Sequence, residues 1–112
     1  MKLQIVVKGK EMLFKKNKVK FKYEIKKVIK KGNVYIVLLR KPIGIHDNEN
    51  VFGVNEHGET IWQIEKTVHI YKDSPYMDLY EAKKHVWVGN WDGDAYRIDV
   101  KTGKILERKF TK

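Results

Sequence analysis

Val34-Tyr35-Ile36-Val37-Leu38-Leu39 is an unbroken apolar run set between Gly32-Asn33 and the polar loop Lys41–Asn50. Side chains on a strand alternate between two faces. A run that is apolar at every position therefore has no face to give to water, and it predicts a central strand buried on both sides. Upstream, Lys18-Val19-Lys20-Phe21-Lys22-Tyr23-Glu24-Ile25-Lys26 alternates strictly, with apolar residues at odd positions and charged residues at even ones. That is a half-buried strand with a lysine row outside, and the strand pattern continues to Ile29. Leu3–Val7 reads as a further strand, paired with Glu11–Lys15 across Lys8-Gly9-Lys10.

Downstream the chain reads as a series of hairpins. Val51–Val54 leads through Asn55-Glu56-His57-Gly58 into Thr60–Ile64. His85–Gly89 leads through Asn90-Trp91-Asp92-Gly93 into Ala95–Asp99, and from there through Lys101-Thr102-Gly103 into Ile105-Leu106. Each turn carries Asn or Asp together with Gly, residues that tolerate positive φ. Two of these units repeat about 44 residues apart. Phe52-Gly53-Val54-Asn55 with Gly58 and Ile61-Trp62 corresponds to Tyr96-Arg97-Ile98-Asp99 with Gly103 and Ile105-Leu106. Ser74-Pro75 before Tyr76–Tyr80 suits either a short helix, with Ser as cap and Pro at its first turn, or a strand over Met77–Glu81. No segment shows helical periodicity over a dozen residues. The expected architecture is one all-β domain over residues 1–112, of about eight to ten antiparallel strands, built as a sandwich or partly open barrel with at most one short helix. Residues 1–32 form its Lys-rich hairpin and strand region, and 50–110 its repeated hairpins.

The 112 residues carry a net charge of +10. Residues 1–32 hold twelve lysines against Glu11 and Glu24, while the remainder is balanced. A one-sided field of this kind attracts acidic partners. The row Lys18, Lys20, Lys22 and Lys26 has two readings: protection of an edge strand against unwanted pairing, or a docking face for an acidic partner. Cysteine is absent, which excludes disulfides, thiol nucleophiles and cysteine zinc sites. No apolar run approaches the roughly 18 residues of a membrane-spanning helix. The apolar stretch in residues 1–8 is too short for the core of a signal peptide, so the expected compartment is the cytoplasm.

Catalytic signatures are missing. His46, His57, His69 and His85 form no ligand pair at metal-binding spacing. Ser74 stands beside a proline without a nucleophile-elbow motif. Asp92-Gly93-Asp94 begins like a calcium loop, but the twelfth position is Gly103 where a bidentate glutamate is needed, so it reads as a turn. Glu59, Glu65, Asp78 and Glu81 show no spacing that selects an acid–base pair. No metal or cofactor is expected. Trp62 and Trp87 read as core or cross-strand aromatics. Trp91 lies inside a turn, where a large apolar side chain is left partly exposed and suited to partner contact.

The hairpin Ile98-Asp99-Val100-Lys101-Thr102-Gly103-Lys104-Ile105 resembles those of quinoprotein-type and WD-type propellers, and Val54–Trp62 does so more loosely. At about 40–45 residues per blade, 112 residues are too few to close a propeller. The segments Asn50-Val51-Phe52-Gly53-Val54…Gly58…Ile61–Glu65 and Gly89-Asn90-Trp91-Asp92-Gly93…Tyr96–Asp99…Thr102–Ile105 are similar to those of small bacterial immunity proteins of polymorphic and contact-delivered toxin systems. The resemblance implies a non-catalytic protein that binds and neutralises a cognate toxin. The partner-binding residues expected here are Lys18, Lys20, Lys22, Lys26 and Trp91, and the partner is a toxin or other protein with an acidic surface. The alternative is non-specific nucleic-acid binding through the lysine face. Against it, Phe21 and Tyr23 point away from Lys20 and Lys22, and only Arg40, Arg97 and Arg108 are available as bidentate readers.

Overall fold

The computed structural model describes residues 5–110, so Leu3 and Gln4 of the expected first strand lie outside the described residues. Among the described residues eleven strands form three antiparallel sheets, and there is no helix. The N-terminal sheet is β1 (Val6–Lys8), β2 (Glu11–Leu13) and β3 (Lys18–Lys20). The middle sheet is β4 (Ile25–Lys31), β5 (Val34–Leu39), β6 (Val51–Asn55) and β7 (Thr60–Gln63). The C-terminal sheet is β8 (Tyr76–Ala82), β9 (His85–Asn90), β10 (Asp94–Ile98) and β11 (Ile105–Phe110). Each sheet is a meander in chain order, and none closes into a barrel.

Every residue of β5 is buried. Val34, Ile36 and Leu38 pack against Leu79, Val86, Val88, Tyr96 and Ile98 of the C-terminal sheet. Tyr35, Val37 and Leu39 face Met12 and Phe21, joined by Phe14 and Val19, on the N-terminal side. Phe14 meets Tyr35 edge-on at 5.6 Å between centroids, and Phe21 meets Phe52 at 5.4 Å. The middle sheet is thus covered on both faces.

The alternating segment Lys18–Ile29 is not one strand. Pairing stops after Lys20 and resumes at Ile25, because the chain steps there from the N-terminal sheet to the middle one. The N–H groups of Phe21 and Ile25 bond to the carbonyls of Lys10 and Gly9 at 2.9 Å across the step. The faces survive it: Val19, Phe21, Tyr23 and Ile25 turn inward while Lys18, Lys20, Lys22 and Lys26 stay exposed. The segment at Ser74-Pro75 enters β8 as a strand, the second of its two readings.

The hairpin repeat extends to two whole four-stranded units. In each, the first strand is bulged near its start, leaving Lys26 and Met77 without a cross-strand partner, and the last is bulged at Ile61 and Leu106. The two units meet along β4 and β8. Lys26 donates to the Met77 carbonyl at 2.6 Å, Lys27 approaches Asp78 at 3.8 Å and Lys31 bonds to Glu81 at 2.5 Å. The turns repeat as well. Asn55, Asn90 and Asp99 each accept the N–H two residues on with a side-chain oxygen, and Gly58, Gly93 and Gly103 follow with positive φ.

Trp62 locks the units together. Its indole N–H donates to the Val100 carbonyl at 2.8 Å. A Cβ on Gly53 would lie 2.1 Å from the Trp62 ring, and one on Gly103 would lie 2.6 Å from it. Gly53→Ala is expected to cost about 3 kcal/mol through overpacking, read as a lower denaturation midpoint in urea. The β8–β9 turn points the other way. Lys83 and Lys84 have φ of 51° and 69°, a two-residue conformation that Asn-Gly adopts with less strain. Lys83→Asn with Lys84→Gly is expected to raise stability by about 1 kcal/mol in the same measurement.

Candidate functional site

Three connections converge at one end of the two repeats: the loop 40–50, the segment 71–75 and the turn 90–93. Asparagines tie them together, with Asn50 and Asn90 buried and Asn48 partly so. Asn50 donates to the carbonyls of Leu39 and Tyr76 at 2.9 and 2.8 Å and accepts the Tyr76 N–H at 2.9 Å. Asn48 accepts the Ser74 N–H at 2.7 Å and donates to the Lys72 carbonyl at 2.9 Å. Asn90 donates to the Ser74 carbonyl at 2.9 Å, and the Ser74 hydroxyl donates back to its Oδ1. Lys41, with a side chain only 9% exposed, holds the long loop by donating to the Ile45 carbonyl at 2.5 Å and to Asp73 at 3.2 Å.

A charged brace lies beneath the turn. Asp92 Oδ2 accepts from the Tyr96 hydroxyl at 2.7 Å and from Arg108 Nη2 at 3.2 Å, and lies 2.9 Å from His69 Nδ1. Its Oδ1 accepts the Asp94 N–H at 2.9 Å. The His69 and Asp92 side chains are 2% and 0% exposed. Arg108 also bonds to Asp94 at 2.6 Å and to the Val68 carbonyl at 2.8 Å, and lies over the Tyr96 ring. Burial alone raises the pKa of the Asp92 carboxyl. The bonds from Asp94 N–H, His69 and Tyr96 outweigh burial and hold it below the ordinary aspartate value. Burial and the neighbouring carboxylate push the Tyr76 and Tyr96 phenols up, so both stay protonated. A histidine beside a carboxylate is the beginning of an acid–base pair, but this one is enclosed and its carboxylate is already bonded on both oxygens. These bonds fix the turn.

On this base the surface is apolar. Trp91 is 60% exposed and Tyr71 54%, with Ile43 fully exposed and Ile45 and Met77 partly so. The Trp91 N–H bonds to the Pro75 carbonyl at 2.9 Å, which sets the backbone under the exposed indole. Met77 reaches the surface from the bulge of β8. A groove of about 520 Å³ runs between Trp91, Tyr71, Pro75 and Ile43. A second, of about 610 Å³, shares Lys41, Ile43 and Met77 with it and continues to Lys10, Lys22 and Arg40.

The residues singled out in the sequence separate. Trp91 is at the centre of this surface and Lys22 at its basic end. Lys18 and Lys20 stand on β3, where Lys18 pairs with Glu11 at 3.6 Å, and Lys26 is engaged by the Met77 carbonyl. Trp62 is in the core, and Trp87 lies half-buried on the outer face of its sheet, opposite Tyr80 and Arg97. Sequence reading missed Ile43, Tyr71, Met77, Lys10 and Arg40. The available signal was apolar residues stranded in polar loops, Pro42-Ile43-Gly44-Ile45 and Ile70-Tyr71-Lys72-Asp73. Among the described residues no group of three or more His, Asp or Glu side chains is placed to hold a metal ion, and no helix is long and apolar enough to cross a membrane.

Because Asp92 has a lowered pKa in the folded state, its stabilising contribution is present above the ordinary aspartate value and lost as pH falls through the folded one. Asp92→Asn is expected to cost about 2 kcal/mol at neutral pH, because His69 and Tyr96 lose the carboxylate they share while Arg108 keeps Asp94. The gap in melting temperature from the parent is expected to narrow in acid below that window, as followed by circular dichroism.

No curated protein matches the chain. The sequence model of a family described as a domain of unknown function, DUF7957, matches residues 2–110, so nearly the whole chain is covered, and the protein belongs to that family.

Proposed function

We propose that the protein is a non-catalytic binding protein that recognises one protein partner through the Trp91 surface. Its role on this reading is of the immunity type, in which it neutralises a cognate toxin by occupying a surface the toxin needs. The observation that carries the reading is a largely exposed tryptophan on a turn braced by buried polar groups, with Tyr71 and Ile43 beside it. Exposed aromatic anchors are where binding energy concentrates. An anchor already held in place loses little entropy on binding. The enclosure of His69 and Asp92 favours binding over catalysis. Nucleic-acid binding through the lysine row finds less support, since Phe21 lies inside and Lys18 and Lys26 are engaged within the molecule.

The test is a tagged pull-down from lysate of the source organism, with and without nuclease, using the parent chain and Trp91→Ala with Tyr71→Ala. The expected result is one stoichiometric protein that survives nuclease. The double variant should bind it at least about thirtyfold more weakly, a loss of about 2 kcal/mol or more. If that protein arrests growth when expressed alone, co-expression of the parent chain is expected to restore growth and the double variant is not. Bound material that disappears with nuclease, or a partner indifferent to both substitutions, overturns the proposal.

A further inference from the structure

We infer that the two joined grooves receive an extended acidic segment of the partner, with one bulky apolar side chain seated beside Trp91 and carboxylates running along Lys10, Lys22 and Arg40. The inference rests on the protein-binding reading above and adds the chemistry of the bound element.

The grooves adjoin at Lys41, Ile43 and Met77, which line both. The two ends of the pair differ. The Trp91 end is apolar and carries Asp73, whose charge Lys41 answers. The far end holds Lys10, Lys22 and Arg40, none of which is paired with a carboxylate among the described residues. Among the described residues, Glu24 lines that wall and Asp47 lies beside its Tyr23, so the three cations face two carboxylates. Elsewhere Lys18 is paired with Glu11, Lys27 with Asp78, Lys30 with Glu56 and Lys31 with Glu81, while Lys8, Lys15, Lys16 and Lys20 are among the other lysines with no carboxylate partner among the described residues. What sets Lys10, Lys22 and Arg40 apart is that they share one groove wall. The unanswered cations also stand on fixed backbone. The Lys10 carbonyl accepts the Phe21 N–H at 2.9 Å, and the Arg40 N–H donates to the Glu24 carbonyl at 2.8 Å. A pair of grooves with a local cationic excess at one end and an aromatic anchor at the other is complementary to a chain that pairs carboxylates with a large apolar residue. A polynucleotide fits less well, since its phosphates would continue past the cations onto an apolar wall that bears Asp73.

The test is a random short-peptide library displayed on phage and panned on the full chain at about 50 mM salt, with recovered peptides re-measured at about 300 mM. Enriched peptides are expected to carry two or more Asp or Glu near a Trp, Phe or Leu. The combined variant Lys10→Glu, Lys22→Glu, Arg40→Glu should weaken them by about tenfold or more while its melting temperature stays near the parent's. Trp91→Ala should weaken them independently. Enrichment of neutral or basic peptides, no enrichment, or binding unchanged by charge reversal overturns the inference. Full displacement of the peptides by single-stranded RNA overturns it in favour of nucleic acid. If charge reversal leaves the pulled-down protein bound while the Trp91 and Tyr71 substitutions release it, this inference fails and the protein-binding reading stands.

Discussion

β5 has no side that faces water, and the layering of the molecule follows from that constraint. A six-residue strand with alternating faces and only apolar side chains needs a cover on each. The C-terminal sheet supplies one and the N-terminal hairpin region the other. The lysines of the first third are then sorted by position. On β4, Lys26, Lys27 and Lys31 lie within reach of carboxylates and a carbonyl on β8 and Lys30 reaches Glu56, and those at the step between the sheets are left facing solvent.

The two repeats have the same order of strands and the same bulges, yet only one carries a long loop after its second strand. In the C-terminal unit the turn Trp91–Gly93 suffices, whereas the middle unit spends residues 40–50 on the same connection. The longer loop reaches across to the shorter turn and supplies Ile43 beside Trp91. The candidate surface is thus a product of broken symmetry. It exists where two equivalent connections stopped being equivalent.

Much of the fold was legible because it is written in short-range patterns. Period-two alternation places Val19, Phe21 and Tyr23 inside even where the strand breaks, and Asn or Asp before Gly marks the turns that the structure closes. The break at residues 21–24 was not legible, since alternation reports which face a residue takes and not whether its backbone has a neighbour. The candidate site was only half legible. Trp91 betrays itself by standing in a turn. His69, Asp92, Tyr96 and Arg108 meet through contacts across 23 and 16 residues of chain, and no local pattern encodes them. Whether a lysine is free or engaged depends on the alignment of β4 with β8, two strands about fifty residues apart.

The keying of Trp62 between Gly53 and Gly103 gives the chain the character of a tethered heterodimer. The two four-stranded units bury one apolar face of each against the other, and the segment between β7 and β8 that joins them contains no strand. The joining segment acts as a leash that is itself anchored at Ile64, His69 and Ser74. It sets the effective concentration of one half around the other, while the interface itself provides the cohesion. Cut within that leash, the two pieces would still shield each other's facing apolar side chains from water.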